Sequence, residues 1–429
     1  GKGVGLQIWK PDNSQVGSVA WNQQLAGDPI LNIDGGALLP NGDVVAVVRG
    51  AQHAFALVKA SGSTLEILAE SGAPLSTPAQ LTFTSMIPGM KTPGNALVQA
   101  AGDPWNVVEV RNGQPVPLIQ HGERFDGNVV FFGSGFNQAR RSPSGDLHLF
   151  LNPFGANVPN YGMYKWADGR VSQTAKFNMT WPDGTVQYTG SFYGVTDSGY
   201  LLATGSTSRN HSRLYLHKDG TPRLVTTNSQ VPDWTTEIGD AGAVIGWDNA
   251  VVTETGRVMA QLRLRNTPSA LYLWEDGRWT EMATLTRTRL LDLSITGFSQ
   301  IRALGNDFYA SFSMAGGGSA IARWVDGKWD VLVSQNDTSP TGQPMAGIGN
   351  FDVNHKGEIV FLSNSFSWPD LIFRKATGEM SVVTYTFDFD TFRNQLVRFT
   401  DVDLRDDGRI YFVALDVMDR YALFEALPK

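Results

Sequence analysis

The sequence predicts an all-β chain folded as one β-propeller of eight four-stranded blades, and three observations carry that prediction. A unit of about 52 residues recurs along the 429-residue chain, a spacing in the range of solenoid and propeller repeats. Each unit holds two hairpin signals, and helical periodicity is almost absent. The last unit runs out after 421–427 without an outer strand, while the chain opens on an unpaired hairpin. Joining the N-terminal segment to the C-terminal blade closes a ring and removes the free sheet edges that an open array exposes. Seven blades is the alternative count, if the divergent unit at Gly94 is a loop insertion, and an open sheet solenoid is the alternative architecture. A single domain spans 1–429.

Taken in order, the chain begins with two short runs, 5–9 and 15–20, around the polar turn Pro11-Asp12-Asn13-Ser14. Whole units follow. The turn glycine of the first strand pair stands at Gly42, Gly94, Gly145, Gly199, Gly256, Gly305, Gly357 and Gly408. Each is followed by an alternating β-rich run: 44–48, 96–99, 147–151, 200–204, 258–262, 308–312, 359–362 and 410–414. Alternation at a period of two predicts an inner strand that divides its side chains between two faces. The clearest unit is 252–285, where the turn at Gly256 starts one hairpin and Asp276-Gly277 closes the next. Asp-Gly tolerates the positive φ angles of a primed hairpin turn. Trp166, Trp274 and Trp324 each stand three residues before a turn glycine, with His217 in that place in another unit. An aromatic at one structural position in successive units marks packing between neighbouring sheets rather than ligand contact.

The run Asn354-His355-Lys356-Gly357-Glu358-Ile359-Val360-Phe361 resembles the NxxGxxAF signature of tandem-repeat proteins found in secreted and surface-anchored bacterial chains. The preceding segment, 332–342, is similar to the linker that joins such repeats. Elsewhere Ser142, Thr196, Thr253 and Arg405 replace the Asn, and the closing Phe returns as Phe412. The resemblance implies a β-propeller and export, and it transfers no catalytic residue.

Composition bounds the function classes. The 34 basic and 41 acidic residues leave a net charge of −7 with no basic cluster, so nucleic acid is not an expected partner. With 42% hydrophobic residues the chain can bury a large core, yet no apolar run is long enough to span a bilayer. The absence of cysteine excludes thiolate metal sites, cysteine nucleophiles and disulfides. Richness in Asn, Gly, Ser, Thr and Trp with few lysines suggests a bacterial protein exported to the periplasm, cell surface or medium. The start at Gly1 fits a chain that has lost a signal peptide. A monomer is expected.

In a propeller, function gathers at the channel mouths and on the loops of one face. Two sets of links are predicted to meet on one rim. Those joining the outermost strand to the next innermost strand are 70–89, 120–138, 178–193, 228–249, 284–300, 335–350 and 384–397. Those inside each unit are 50–54, 152–161, 205–212, 266–269, 313–319 and 363–370. Trp181, Trp234, Trp247, Trp368, Tyr161 and Asn160 lie in them and are the candidate ligand-binding residues. Aromatic faces cover sugar C–H surfaces and amides bond their hydroxyls, although loop aromatics more often fold back to fill gaps.

No HExxH, GxSxG, GxxxxGK[ST] or GxGxxG-helix motif occurs. His121, His211, Arg209 and Arg124 are the candidate catalytic residues, because they lie on the predicted rim, with solvated loop side chains as the bland reading. Asp388 and Asp390 alternate on a strand-like run and are the candidate metal ligands, for calcium. No other cofactor is expected. Three functions remain: an exported non-catalytic propeller binding a carbohydrate or surface polymer, a polysaccharide lyase or glycoside hydrolase at the channel mouth, and a protein-interaction scaffold.

Overall fold

The computed structural model describes residues 5–9, 15–20, 23–38, 43–50, 56–61, 64–70, 82–86, 96–101, 106–111, 114–120, 124–125, 128–129, 139–141, 146–151, 162–167, 170–176, 178–180, 186–207, 212–219, 221–228, 238, 242–345, 347–364, 369–385, 396–416 and 421–426. Among them the protein is built of strands and turns, with no helix. Hence no helix of the described residues is long and apolar enough to cross a membrane.

Eight antiparallel sheets of three to five strands follow one another along these residues, each a meander of sequential strands. The fifth comprises Val244–Val252, Val258–Leu264, Ala270–Glu275 and Arg278–Thr284. The sixth is built on Leu293–Leu304, Asp307–Met314, Ser319–Val325 and Lys328–Ser334. The seventh comprises Gly347–Val353, Ile359–Asn364, Pro369–Arg374 and Met380–Tyr385. The eighth comprises Leu396–Leu404, Ile410–Asp416 and Tyr421–Ala426. The first strands lie beside one another from the first sheet to the second and from the third through to the eighth, which is the organisation of a β-propeller.

Period-two alternation gives both faces of a sheet to the core. In the fifth sheet Val258, Ala260 and Leu262 pack on Leu202, Leu214 and Leu216 of the fourth. The intervening Met259, with Leu271 and Leu273, packs on Phe308, Ala310 and Phe312 of the sixth. Tyr309, Ile321 and Val333 then meet Phe351, Ile359 and Phe361 of the seventh, and Val360 and Leu371 meet Phe399 and Phe412 of the eighth. Trp274 is buried at the boundary of the fourth and fifth sheets, and Trp324 stacks edge-on against Trp329 at 5.1 Å. The repeated tryptophan is therefore a packing element. At the ends, Gly5–Trp9 runs beside Tyr421–Ala426, and its partner Gln15–Ala20 lies on the first sheet, where Val19 is buried. Of the two N-terminal strands, Gly5–Trp9 is thus the one that meets the last strand.

Hydrogen bonds between turns and strands tie the sheets together. Thr196, Thr253 and Asn354 each place a side-chain oxygen on the backbone N–H four residues on, closing the turn before its glycine's strand. This gives the Asn of the resembled motif, and the Thr that replaces it, one shared role as acceptor. Glu254 accepts from the N–H groups of Asp197 and Ser198 at 3.1 and 2.8 Å, linking the fifth turn to the fourth. Asp406 accepts from the His355 N–H at 2.8 Å, linking the eighth to the seventh. Inside, buried Asp352 accepts from the Leu404 N–H at 2.9 Å and stands 3.6 Å from Arg302, so one carboxylate spans three sheets. Asp276 and Gly277 both have positive φ, 48° and 83°, as the Asp-Gly turn requires.

One expectation is corrected. It does not touch the alternating runs after the turn glycines, which are second strands in the interior of their sheets. The innermost strands occupy the second halves of segments read as links: Val244–Val252 starts inside 228–249, and Leu293–Leu304 inside 284–300. These strands escaped the alternation test because their register breaks. Pairing skips Leu31 and Asp34 in the first sheet, Ile245 and Asp248 in the fifth, Thr296 and Ser299 in the sixth, and Val397 and Thr400 in the eighth. Each skip is a β-bulge, which adds a residue and flips the face of everything after it.

Replacing Asp352 by Ala should destabilise the protein by about 2–3 kcal/mol, since it strands the buried Leu404 N–H and leaves Arg302 uncompensated. Urea unfolding measures this, with Asp352→Asn, which keeps an acceptor, losing less.

Candidate functional site

The described residues reach only part of the predicted site. His121, His211, Arg209, Trp181, Trp234, Trp368, Tyr161, Asn160, Asp388 and Asp390 lie outside them. Arg124 falls in the two-residue strand Arg124–Phe125, paired with Asn128–Val129. Trp247 is half-buried on the first strand of the fifth sheet and packs, with Tyr193, Tyr200 and Trp279, against the core cluster shared with the fourth. Beside it the bulged Asp248 pairs with Arg263 at 3.2 Å. Among the described residues no group of three or more His, Asp or Glu could hold a metal ion.

The histidines that are described are not exposed rim groups. His148 and His217 are buried, and burial is the main force that pulls both imidazoles down to about 4. They are neutral at physiological pH. His355 is held by the Asp406 carboxylate at 2.9 Å on a turn between the first and second strands, the edge opposite the predicted site rim.

The bulges place side chains at the free edge of the innermost strands. Leu31 and Ile245 are the large apolar residues exposed there, at 49% and 44%. Asp248, Thr296 and Ser299 are exposed likewise. A bulge re-aims a side chain that regular pairing would keep in the sheet.

On the predicted rim, between the sixth and seventh sheets, lies a cleft of about 480 Å³. Its walls include Thr296, Ser313, Ser319, Gly347, Ile348 and the run Gly316-Gly317-Gly318. The turn is glycine for two reasons. Gly316 and Gly317 have φ of 82° and 83°, and a Cβ on Gly318 would come within 2.2 Å of the Gln335 side chain. The Ser319 Oγ accepts from the Ile348 N–H at 2.6 Å and so pins the two sheets together at the cleft floor. The cleft thus combines the hydroxyls of Thr296, Ser313 and Ser319 with the apolar side chains of Met314, Ala315 and Ile348.

A carboxylate stands in the row that leads away from this floor. Ile348 pairs with Ser363 and Ser363 with Asp370, so the three share the face turned toward the sixth sheet. Asp370 is 5% exposed, and no hydrogen bond or ion pair reaches its carboxyl among the described residues. Burial alone pushes its pKa up from 3.8 to about 6. The Oγ atoms of Ser363 and of Ser311, on the facing sheet, are also buried without a hydrogen-bond partner. The site is incompletely satisfied, a condition that native interiors seldom tolerate without a reason.

Asp370 was legible in the sequence once the units were aligned on their strand pairs. The residue that opens the third strand at this level is Ala56, Ala270, Ala320 and Ala422 in the first, fifth, sixth and eighth sheets. The second, third and fourth sheets put Asn106, Gly162 and Arg213 there, so the fourth and the seventh both carry an ionisable group at this level.

No family model and no curated protein matches the chain. Among solved structures it is similar to a puromycin-hydrolysing peptidase of Mycobacterium tuberculosis, with 10% identity and a TM-score of 0.40 over 80% of this chain and 52% of that one. The chain therefore spans about half of that peptidase. It is also similar to the β-propeller domain of the Trilobed protease from Pyrococcus furiosus, with 11% identity and a TM-score of 0.38 over 83% and 98% of the two chains. A lectin of Aleuria aurantia in complex with Fucα1-6GlcNAc matches with 12% identity and a TM-score of 0.29 over 72% and 96%. Likenesses this loose do not bear on the ligand.

The raised pKa of Asp370 has a sign that can be checked. Between about 4 and 6 the folded chain holds a proton there that the unfolded chain has lost, so stability falls as pH rises through this window. Above it the cost is about 3 kcal/mol. Asp370→Ala should therefore be more stable than the parent at pH 8 and nearly equal to it at pH 4, as read by thermal melts. A difference that does not vary with pH would remove the uncompensated carboxylate.

Proposed function

We propose that the protein is an exported, closed eight-bladed propeller of the NxxGxxAF repeat type that binds a carbohydrate or other surface polymer through one rim, without transforming it. The observation that supports this reading is the cleft between the sixth and seventh sheets. Hydroxyl groups and backbone amides line it, and such groups meet the alternating donors and acceptors of a polyol. Its volume, about 480 Å³, is in the range of small-ligand sites.

A carbohydrate-active enzyme is the second reading, and Asp370 favours it, since a carboxyl held near pH 6 suits a general acid. A glycoside hydrolase needs a second carboxylate across the scissile bond, and none stands on the described cleft wall. Binding without turnover is the reading with fewer unmet requirements.

A panel of polysaccharides, screened by calorimetry and for new reducing or unsaturated ends, separates the readings. The expected result is affinity without product. Thr296→Trp, which fills the cleft from an exposed position, should weaken binding by at least about 10-fold and leave the melting temperature unchanged. Undiminished affinity in that variant would move the site elsewhere, and accumulating product would make the protein an enzyme.

A further inference from the structure

We propose that the link 285–292, beside the rim cleft, is a docking strip for the acidic groups of a polysaccharide, so that the glycan taken by this rim carries carboxylates or sulfates. The inference rests on the glycan reading above and specifies its ligand class.

Charge on this part of the rim runs against that of the chain. The net charge is −7, yet the links 265–269 and 285–292 hold Arg265, Arg287 and Arg289 against a single acid, Asp292. All three arginines are exposed, as is Arg263 at the end of the strand before them. Arg263 pairs with Asp248 at 3.2 Å, and no ion pair holds the other three among the described residues. The arginines are dispersed in sequence, and the fold gathers them. The Leu285 N–H donates to the Ser269 carbonyl at 3.3 Å, which joins the two links.

The backbone of the second link is strained. Thr286, Leu291 and Asp292 have positive φ, 68°, 51° and 63°, and outside the Asp-Gly turns the one other described non-glycine residue of this kind is Ala26. A β-branched or bulky residue takes up that conformation at a cost and keeps it only where its surroundings fix it, a condition typical of binding sites. Here backbone bonds fix it. The Thr286 N–H donates to the Ile295 carbonyl at 2.7 Å, the Ile295 N–H to the Thr288 carbonyl at 3.0 Å, and the Thr284 N–H to the Thr288 Oγ at 2.9 Å. The strip is thus a rigid mount for Arg287 and Arg289.

The same bonds set it against the cleft. Arg289 pairs with Ser294, the Ser294 carbonyl accepts from the Ala315 N–H at 2.8 Å, and Ala315 and Thr296 line the cleft. One strand row therefore separates Arg289 from the cleft wall. A guanidinium holds a carboxylate or sulfate through two parallel N–H bonds, while the cleft hydroxyls meet the neutral part of a sugar. A nucleic acid would offer the same charge, but three arginines on a chain of this net charge neutralise too few phosphates to hold one.

The test titrates the full chain by calorimetry at about 50 mM salt with an oligogalacturonate, a sulfated dextran oligomer, a neutral dextran oligomer and a single-stranded DNA oligonucleotide. At least one acidic oligosaccharide should bind about 10- to 100-fold more tightly than the neutral one, and the tighter of the two names the acidic group. In the double variant Arg287→Gln, Arg289→Gln that preference should fall to near one. Both side chains are exposed, so the fold should persist, and circular dichroism checks it. Raising salt to about 0.5 M should erase the preference in the parent itself, a readout that needs no variant. A parent that binds acidic and neutral oligomers alike, a preference that survives in the double variant, or DNA bound as tightly as the acidic oligosaccharides overturns the docking strip and leaves the glycan reading standing. A parent that binds none of the oligosaccharides contradicts the glycan reading, and the strip with it.

Discussion

Both faces of these sheets are apolar, and that constraint governs the rest of the structure. A sheet with one polar face can end a stack, whereas a sheet apolar on both sides must be covered twice. The fifth sheet shows the requirement directly, with Leu262 turned to the fourth and Met259 to the sixth, both fully buried. Each such side chain contributes about 1.5–3 kcal/mol when removed from water, so an uncovered face would expose several at once. The chain meets the constraint at its ends through the N-terminal hairpin, which stands between the last sheet and the first. Some polar groups inside the stack carry links between sheets, as Asp352 does across three of them.

What the sequence disclosed follows from which signals survive folding unchanged. Turn glycines are set by backbone geometry alone, and Gly199, Gly256, Gly357 and Gly408 all have positive φ. The second strands pair regularly, so their alternation is visible. The innermost strands are bulged, and a pattern that changes phase after Ile245 and again after Asp248 reads as a loop. Trp247 illustrates the consequence, since it lies in a strand and packs on the core while its segment looked like a link. The site was legible to the extent of its rim: the link 313–319 borders the cleft. Asp370 stayed hidden because one Asp at a link's end is unremarkable until the strand pairing places it in the buried row with Ile348 and Ser363.

The same bulges connect fold to function. They curve the inner edge, turn short polar and apolar side chains such as Thr296 and Leu31 outward, and leave the outer strands free to pack. Opening of the rim between the sixth and seventh sheets comes from glycine, whose missing side chains at Gly316, Gly317 and Gly347 leave the space. Stability and recognition therefore reside in separate parts of one sheet. The middle is apolar and tightly buried, and the rim end between the sixth and seventh sheets carries the hydroxyl groups of the cleft.

The central claim, that every sheet face is covered because the two ends of the chain meet, is tested most directly by hydrogen exchange in the last strand. Deuterium uptake across Tyr421–Ala426 should be slow in the full chain and rise to the level of an exposed edge strand when residues 1–20 are removed. Unchanged protection in the shortened chain would mean that something other than Gly5–Trp9 covers that strand, and the ring described here would be contradicted.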